Sequence, residues 1–474
     1  QGKESALFRT VAAGELDISA IAALNTAQQA AVKKALSAED IAIIHGPPGT
    51  GKTTTLVAII LAAVQRGESV LACAPSNMAV DNLAESLVKA GATLVRIGHP
   101  ARVQPQLQAH TLDAQVEQHD NYRLAKKLRK QAQSLLSNAR KWRRARPQDG
   151  EKAAMRQDAK QLQAEARALE ARAVERVLDA VPIVLATLTA LDSALLGQRQ
   201  FDLCVIDEAG QSTEPALWIP LTRSRKVILA GDHRQLPPTI MSQQAQDEGF
   251  GISLLERLML RDGVRISQQL VRQYRMHQQI MAFSSAEFYQ NSLLADTSVA
   301  THLLADLPHV TANELTCTPI DYIDTAGASY DEEREPDGRS WQNPQEANLV
   351  IRKVTALLAA GVEPDVIGII TPYSAQTRLI RAKLQQPVEV NSVDGFQGRE
   401  KEAIIISLVR SNQRGEVGFL RETRRMNVAL TRARRKLIVI GDSGTISAEP
   451  FFTRLLDYWD TIGVYHSVWE EAVV

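Results

Sequence analysis

The sequence predicts an α/β protein made of two tandem domains, each built around a mostly parallel β-sheet. Three observations predict this fold class: the length of the chain, an alternation of short apolar runs with helical patterns, and the repeat of that alternation in the second half. The chain has 474 residues, which exceeds what one hydrophobic core usually serves. Strands that alternate with helices form parallel sheets covered on both faces.

The first half contains six short apolar runs that are typical of buried strands and are flanked by Gly, Pro or polar turns. They are residues 41–44, 70–74, 94–97, 183–186, 203–206 and 227–230. A helix is predicted between the first two runs, because four apolar residues there recur at the spacing of one helical face. These residues are Leu56, Ile59, Ile60 and Ala63.

The second half repeats the pattern with five strand candidates and two helical stretches. The strands are residues 322–323, 367–370, 388–390, 403–407 and 437–440, and the helices lie around 344–360 and 374–385. We place the domain boundary near residue 265, which divides the chain into domains 1–265 and 266–474.

Residues 101–181 interrupt the first domain with a segment rich in Ala, Gln, Lys, Arg and Glu. Apolar residues recur every seven positions on both sides of the Pro- and Gly-containing segment 146–150. The series are Leu128, Leu135 and Trp142 before it, and Met155, Leu162 and Leu169 with Ala159, Ala166 and Ala173 after it. Heptad stripes on both sides of a turn predict an inserted antiparallel helical hairpin.

The charge of the whole chain predicts no particular partner, because 54 Lys and Arg balance 54 Asp and Glu. Cys73, Cys204 and Cys317 match no zinc or disulfide spacing, and two of them sit in apolar runs. Buried thiols in a reducing, intracellular compartment, the cytoplasm, are therefore expected. No apolar run reaches the length of a membrane span and no signal peptide opens the chain, so we expect no membrane partner.

The most specific signal is the segment His45-Gly46-Pro47-Pro48-Gly49-Thr50-Gly51-Lys52-Thr53, which fits the phosphate-loop pattern G-x-x-x-x-G-K-[ST]. It follows an apolar strand and opens an amphipathic helix. Glycines let backbone N–H groups converge on phosphate oxygens, and the helix N-terminus adds partial positive charge. Lys52 is expected to reach the β- and γ-phosphates of ATP, and the Thr53 hydroxyl to hold Mg²⁺. The predicted nucleotide-binding set here is Gly46, Pro48, Gly49, Thr50, Gly51, Lys52, Thr53 and Thr54.

An acidic partner for the metal is also required, and Asp207 and Glu208 follow the apolar run 203–206. The carboxyl end of a strand is where α/β sheets bind ligands. In this interpretation Asp207 lies on the metal side, and Glu208 polarises the attacking water as a general base. The alternative is an acidic pair that only caps a helix.

Six segments of the chain, taken in order, carry a family resemblance. They are Ala74-Pro75-Ser76-Asn77-Met78-Ala79-Val80-Asp81, Asp207-Glu208-Ala209-Gly210-Gln211, Gly231-Asp232-His233-Arg234-Gln235-Leu236-Pro237-Pro238, Gln273-Tyr274-Arg275-Met276-His277, Val393-Asp394-Gly395-Phe396-Gln397-Gly398-Arg399-Glu400 and Asn427-Val428-Ala429-Leu430-Thr431-Arg432-Ala433-Arg434. Their order resembles superfamily 1 helicases, most closely the branch of the nonsense-mediated-decay RNA helicase and the immunoglobulin-mu-binding helicase. The resemblance implies two RecA-like domains that hydrolyse ATP with Mg²⁺ and move 5′→3′ along single-stranded DNA or RNA.

The resemblance also implies roles for residues around the nucleotide. Gln28 is expected to read adenine, while Gln29 caps the same helix in a capping box that starts at Thr26. Gln235 is expected to hydrogen-bond the γ-phosphate or its water. The alternative for that segment is a loop stiffened by Pro237-Pro238.

Positive charge at the γ-phosphate is expected from two arginine fingers, Arg275 and Arg432, both in the second domain, so that the phosphate bridges the domains. The alternative for Arg432 is a surface arginine in the basic run 424–436. Tyr274 resembles the aromatic residue that stacks on adenine, with buried core packing as the alternative. Glu400 resembles the carboxylate that contacts the ribose. The predicted catalytic set is Lys52, Asp207, Glu208, Gln235, Arg275 and Arg432.

Three polar turns resemble the family's contacts to the single strand. They contain Pro75, Ser76 and Asn77, then Thr187 and Thr189, then Asn391, Ser392 and Asp394. Short polar side chains with backbone N–H groups suit sequence-independent phosphate contact, although such turns are common. Residues 121–146 add ten Lys or Arg and no Asp or Glu. That charge predicts either a salt-sensitive nucleic-acid contact or a solvated coiled-coil face.

Three functional hypotheses follow. The leading one is a monomeric helicase or translocase, the second is an ATP-gated clamp or remodelling factor that separates few base pairs, and the third is an inactive scaffold. Intact Lys52, Asp207, Glu208 and Arg432 argue against the third. Phosphate contacts and base stacking tolerate both sugars, so the sequence leaves DNA and RNA open. The family usually carries a small β-barrel before the segment that contains the adenine-reading glutamine, here Gln28. Here either the barrel is absent or the chain lacks its natural N-terminus.

Overall fold

The computed structural model describes residues 23–140, 150–191, 195–336, 338 and 340–470. The chain divides into two compact units. The first contains residues up to 44, 53–231 and 238–268, and the second contains residues 45–52, 232–237 and 269 onward. Two short segments that the sequence analysis placed in the domain 1–265, namely 45–52 and 232–237, therefore pack with residues of the second unit.

Strands and helices alternate through the first unit. From residue 26 to residue 269 the elements are α1 (Thr26–Ser37), β1 (Ile41–His45), α2 (Lys52–Gln65), β2 (Val70–Ala74), α3 (Asn77–Lys89), β3 (Leu94–Ile97), α4 (Leu112–Gln118), α5 (Asp120–Arg140), α6 (Glu151–Ala180), β4 (Ile183–Thr187), β5 (Phe201–Ile206), α7 (Glu214–Leu221), β6 (Ser224–Gly231), α8 (Gln243–Asp247), α9 (Leu254–Ile266) and β7 (Ser267–Gln269). All six runs predicted as strands in this half are strands.

The seven strands form one sheet in the order β3-β4-β2-β5-β6-β1-β7. The pairings from β3 to β6 along this order are parallel. The carboxyl ends of β2, β4, β5 and β6 therefore lie at one edge of the sheet, and each is followed by residues that the sequence analysis singled out.

Local sequence patterns explain how these elements form. Every residue of β2 and of β4 is buried, as expected for strands covered on both faces. The four residues predicted to form the apolar face of α2 are fully buried, which confirms that face. α3 begins directly after β2 because the Ser76 side chain accepts a hydrogen bond from the Ala79 N–H at 3.2 Å, satisfying a helix N-terminal donor.

The inserted segment forms two long helices, α5 and α6, that pack along each other. Arg129 and Glu170 form an ion pair across the two helices, as in an antiparallel hairpin. The buried stripe of α6 is the predicted alanine series, Ala159, Ala166 and Ala173, and it faces a second alanine series on α5, Ala125, Ala132 and Ala139. The leucine series on both helices is only partly buried. Trp142 and residues 146–149 of the predicted turn lie outside the described residues.

The second unit contains the remaining elements. They are β8 (Arg272–Gln273), α10 (Gln278–Tyr289), β9 (Leu294–Ala295), α11 (Glu314–Cys317), β10 (Ile320–Asp324), β11 (Glu333–Arg334), β12 (Trp341–Gln342), α12 (Pro344–Ala359), β13 (Ile367–Ile370), α13 (Ser374–Lys383), β14 (Glu389–Asn391), β15 (Lys401–Ser407), α14 (Thr423–Leu430), β16 (Ala433–Gly441), α15 (Ser443–Ile446), α16 (Pro450–Thr461) and β17 (Tyr465–Ser467). All five predicted strands and both predicted helices are present.

The main sheet of this unit has six strands in the order β14-β13-β15-β16-β10-β17, and every pairing in it is parallel. Neighbouring residues of β10 point to opposite faces of the sheet. Tyr322 packs in an apolar cluster with Phe396 and Trp459, whereas Ile323 packs in a separate cluster with Leu349. Two covered faces confirm the α/β class for this unit as well.

A buried carboxyl group, that of Glu346, holds the chain as it leaves β15. Its Oε2 accepts hydrogen bonds from the Ser407 hydroxyl at 2.6 Å and from the Val409 N–H at 2.9 Å. Burial raises the pKa of Glu346 to about 8 against these two hydrogen bonds. Val409 has φ 73°, a left-handed conformation that β-branched residues rarely adopt, so this bond holds the backbone in a strained turn.

The two cysteines in apolar runs, Cys73 and Cys204, are buried free thiols as expected. Cys317 is exposed. Among the described residues, no helix combines the length and the apolar character needed to span a bilayer.

Candidate nucleotide and nucleic-acid sites

The phosphate-loop segment connects β1 to the N-terminus of α2. Gly49 and Gly51 both have φ 74°, a left-handed conformation that glycine adopts without steric penalty. A Cβ atom at Gly49 would lie 2.7 Å from the Cβ of Arg275, so no larger residue fits there. The Thr50 hydroxyl donates to the Pro47 carbonyl at 2.7 Å and closes the loop. Left-handed glycines on both sides of Thr50 are typical of the compact turn that receives a phosphate group, and the Thr50 N–H itself donates to the Pro47 carbonyl at 3.3 Å.

Lys52 is positioned by a second close approach in the same loop. A Cβ atom at Gly46 would lie 3.0 Å from the Cβ, Cγ and Cδ atoms of Lys52. The methylene chain of Lys52 therefore lies against the backbone of Gly46, and a side chain at that position would displace it. Thr53 and Thr54 follow in the first turn of α2.

The acidic pair lies at the carboxyl end of β5, as predicted. Asp207 is buried; its N–H donates to the Cys73 carbonyl at 2.8 Å, and its carboxylate accepts the Glu208 N–H at 2.8 Å. Glu208 has φ 52°, and its carboxylate accepts a hydrogen bond from the Gln211 amide at 2.6 Å. Glu208 stands at the N-cap position of the short 3-10 turn Ala209–Gln211, but its side chain makes no capping hydrogen bond there. Gln211 orients Glu208, a role the sequence analysis did not assign.

A buried network centres on Asp232, immediately after β6. Its carboxylate accepts hydrogen bonds from the Tyr289 hydroxyl at 2.6 Å and from the Gln235 amide at 2.8 Å, and it pairs with the His45 ring at 3.1 Å. The Asn427 amide donates to the Tyr289 hydroxyl at 2.9 Å. Burial alone would raise the pKa of Asp232, but these partners hold that pKa well below its usual range.

This network connects residues that the sequence analysis treated separately. Gln235 is partly buried, and its amide is fixed by Asp232. Asn427 also donates to the Arg234 carbonyl at 2.9 Å, so the segment 232–237 is attached to α14. The sequence analysis missed Tyr289 and the role of Asp232. The only local signal is the position of Asp232 three residues before Gln235.

Arg275 lies against the phosphate-loop segment, as shown by the approach of its Cβ to Gly49. Its guanidinium pairs with Glu400 and donates to the Thr431 carbonyl at 3.2 Å. Burial would raise the pKa of Glu400, but Arg275 and Arg434 outweigh it and lower that pKa. Glu400 is therefore ionised and holds Arg275 in an ion pair. The contact of Glu400 with the ribose stays a prediction.

Tyr274 is tied to the same loop through its backbone, whose N–H donates to the Gly49 carbonyl at 2.8 Å. Its side chain is 38% exposed, so the alternative of buried core packing is wrong. An aromatic ring in this position is compatible with stacking on a base.

Arg432 is only 2% exposed, which corrects the alternative of a surface arginine. Its guanidinium donates to the Val428 carbonyl at 2.9 Å and to the Thr431 hydroxyl at 3.1 Å. Arg432 is therefore folded against its own unit, because α14 ends just before it and the Val428 carbonyl there accepts both its guanidinium and the Thr431 hydroxyl.

Gln28 requires a correction. The N-cap of α1 is Asn25, whose side chain accepts the Gln28 N–H, while the Gln28 side chain accepts the Asn25 N–H, both at 3.0 Å. The capping box therefore consists of Asn25 and Gln28, not of Thr26 and Gln29. Gln29 instead donates to the Leu24 carbonyl at 2.8 Å. Gln28 is predicted to read adenine, but its side-chain oxygen already accepts the Asn25 N–H in this cap.

The predicted strand-contacting residues lie at the carboxyl edges of the two sheets. In the first unit Pro75, Ser76 and Asn77 follow β2, Thr187 ends β4, and Thr189 is exposed two residues later. The Asn77 side-chain oxygen accepts a hydrogen bond from Arg96 at 2.9 Å, so that oxygen is engaged within the first unit. In the second unit Asn391 ends β14, and its side chain accepts the Ser392 N–H at 3.0 Å. Asp394 is exposed and lies 3.7 Å from Arg425.

Comparison with known proteins places these features in a family. Two family models, both described as AAA domain, match residues 23–243 and 250–444. The DNA-binding protein SMUBP-2 of Mesocricetus auratus is 46% identical over 455 residues, covering 94% of this chain and 46% of that protein. The DNA polymerase alpha-associated DNA helicase A of Schizosaccharomyces pombe is 42% identical, covering 92% of this chain and 66% of that protein. An uncharacterized ATP-dependent helicase of Methanocaldococcus jannaschii is 35% identical, covering 94% of this chain and 71% of that protein.

The chain spans about half the length of the mammalian relatives that it matches. The ranges matched by the two family models, 23–243 and 250–444, include the phosphate loop, the acidic pair, Arg275 and Arg432.

Proposed function

Because the chain belongs to the superfamily 1 helicases, in the branch that includes the nonsense-transcript regulators and SMUBP-2, we propose that it is an ATP-dependent helicase or translocase acting on single-stranded DNA or RNA. The observation that carries this proposal is the phosphate loop, whose left-handed Gly49 and Gly51 lead into α2 at Lys52. A loop in this conformation is built to hold phosphate groups.

The hydrolytic chemistry is assigned to residues of this chain. Lys52 neutralises the β- and γ-phosphates, and Glu208, held by Gln211, orients and deprotonates the attacking water. Gln235, held by Asp232, contacts the γ-phosphate or its water. Arg275 and Arg432 stabilise charge on the transferring phosphoryl group once their guanidinium groups exchange the contacts that they make here with Glu400 and with the Val428 carbonyl. The Thr53 hydroxyl and the buried Asp207 carboxylate fit a hard cation and would hold Mg²⁺, which neutralises phosphate charge when bound.

The assignments outside the nucleotide site are also part of the proposal. The single strand contacts the turns at Ser76, Thr189 and Ser392, and the polarity of movement is 5′→3′. The protein acts as a monomer. It works in a reducing, intracellular compartment, and the buried thiols of Cys73 and Cys204 support this choice of compartment.

Strand displacement tests the proposed function. Matched duplexes with a 5′ or a 3′ single-stranded tail are incubated with the protein and ATP, in DNA and RNA versions. We expect separation of the 5′-tailed duplex that depends on ATP. ATP hydrolysis without separation of either duplex would favour the ATP-gated clamp instead, and separation of only the 3′-tailed duplex would contradict the polarity.

We expect the exposed lysines of α5 to contribute to binding of the single strand. Lys126, Lys127 and Lys130 are exposed on α5, whereas Arg129 is engaged by Glu170. Alanine at all three lysines is expected to weaken binding and to reduce the slope of log affinity against log salt by about 2, because each lost phosphate contact on a single strand removes about 0.7.

Fluorescence anisotropy with a labelled oligonucleotide at several salt concentrations measures this slope. The matched control changes three exposed cations of α6, Arg156, Lys160 and Arg167, to alanine. We expect that control to bind as the wild type does. An unchanged slope in the α5 variant identifies the hairpin as a solvated coiled coil.

A further inference from the structure

Phe419 is a phenylalanine held on the surface of the second unit, in the short turn 418–421 between β15 and α14. Its side chain is 60% exposed. Residues 410–425 around it contain five arginines and two glutamates, and four of these arginines, Arg414, Arg421, Arg424 and Arg425, are not buried. Exposed aromatic rings among cations are the combination with which proteins bind single-stranded nucleic acid without sequence preference.

The turn that carries Phe419 is fixed from beneath by buried groups. The Phe419 N–H donates to the Tyr373 hydroxyl at 3.3 Å, and the Arg410 guanidinium donates to the same hydroxyl at 3.3 Å. Arg410 is buried and forms a two-bond pair with Glu332, at 2.6 and 2.9 Å. Gly418 has φ 56°, and a Cβ atom there would lie 2.2 Å from the Arg410 guanidinium. The backbone of Phe419 is thus held in one position although its ring faces solvent.

The ring lies next to a segment already predicted to contact the single strand. The Arg425 guanidinium is 6.0 Å from the centre of the Phe419 ring, and the same side chain is 3.7 Å from Asp394. Tyr373 follows β13, and Asn391 ends the parallel strand β14 in register with Ile370. The supporting tyrosine and the predicted turn at 391–394 therefore lie at the same edge of the sheet.

A solitary exposed phenylalanine is ordinary on protein surfaces and by itself indicates nothing. Phe419 differs because three features coincide at it. Buried hydrogen bonds fix its backbone, an arginine lies beside its ring, and the adjacent turn is predicted to bind the strand. The Phe419 ring makes a tilted aromatic contact with Tyr373, at 5.5 Å between ring centres, and more than half of its surface remains open to solvent.

We propose that Phe419 is a stacking platform for one base of the bound single strand, with Arg425 placed to meet a neighbouring phosphate. The proposal rests on the proposed function and adds to it a contact with the base, where the predicted turns supply contacts with the phosphate backbone. Stacking on an aromatic ring does not read the base or the sugar, so DNA and RNA are both accepted.

The test compares Phe419→Ala, Phe419→Trp and wild type for binding to oligonucleotides of one length, as DNA and as RNA. Alanine is expected to weaken binding by about 5-fold to about 100-fold, the range for loss of one base stack, and tryptophan is expected to retain wild-type affinity. Phe250→Ala is the matched control, because Phe250 is also about half exposed, at 48%, and belongs to the first unit. Thermal unfolding of each variant checks that the fold is intact.

Abasic oligonucleotides separate stacking from other effects and need no variant. Wild type should bind an abasic strand more weakly than a normal one, and Phe419→Ala should lose much less on the same change. Equal affinity of Phe419→Ala and wild type for the normal strand would overturn the platform while leaving the proposed function intact. The platform would also be overturned if Phe419→Ala bound normal and abasic strands more weakly than the wild type by the same factor. If the wild type bound neither DNA nor RNA, the proposed function itself would be contradicted.

Discussion

Replacing Lys52 with alanine is expected to lower the rate of ATP hydrolysis by at least about 100-fold, because the ammonium group is the side-chain cation of the phosphate loop and stabilises charge on the transferring phosphoryl group. Alanine removes the ammonium charge together with the methylene chain that lies against Gly46. Release of phosphate under saturating single-stranded oligonucleotide measures the rate.

Lys89→Ala is the matched control for this change. Lys89 is exposed in the last turn of α3, where it pairs with Glu85, and its removal should leave turnover unchanged. A Lys52→Ala protein that turns over ATP as fast as the wild type would mean that the phosphate loop is not the catalytic site.

Replacing Glu208 with glutamine is expected to lower the rate of hydrolysis by about 100-fold to about 10,000-fold while leaving nucleotide binding close to that of the wild type. The amide has the shape of the carboxylate and can still accept the hydrogen bond from Gln211, but it cannot take a proton from water. Turnover and binding of a fluorescent ATP analogue are measured on the same preparation.

Glu248→Gln is the control for the loss of a carboxylate. Glu248 is exposed just beyond α8 and accepts a hydrogen bond from Gln244, so its neutralisation should not affect turnover. If Glu208→Gln lost nucleotide binding to the same extent as turnover, Glu208 would be a structural residue of the loop rather than the base.

The fold could be predicted largely from the sequence because its strands are local apolar runs. Burial on both faces demands such runs, and turn residues mark their ends. The phosphate loop and the acidic pair could be predicted for a related reason, since each functional set lies within one short segment next to one strand. The left-handed glycines of the loop follow from the same string of residues.

Features that depend on tertiary contacts could not be predicted. Asp232 and Tyr289 are separated by 57 positions and meet only in the folded unit. For Arg432 the basic neighbours left a surface arginine open as the alternative to an arginine finger, yet the side chain is buried and folds back onto the end of α14. In the hairpin, the spacing of seven fits the leucine and alanine series equally, and it is the alanine series that the folded hairpin buries.

The capping of α1 shows how a shift of one residue escapes sequence reasoning. Two overlapping patterns, one starting at Asn25 and one at Thr26, both satisfy the capping-box rule. Burial of Leu24 just before the helix accompanies the first pattern, and this burial is a property of the folded unit. The choice between the two patterns matters for the nucleotide site, because a capping box that starts at Asn25 engages the side chain of Gln28.

The most direct measurement is ATP turnover by the wild-type protein as single-stranded DNA or RNA is titrated in. A phosphate loop that powers movement along nucleic acid should hydrolyse ATP slowly alone and show a saturable rise in rate with at least one of the two strands. A rate that stays the same at every concentration of both strands would contradict an ATP-driven nucleic-acid motor.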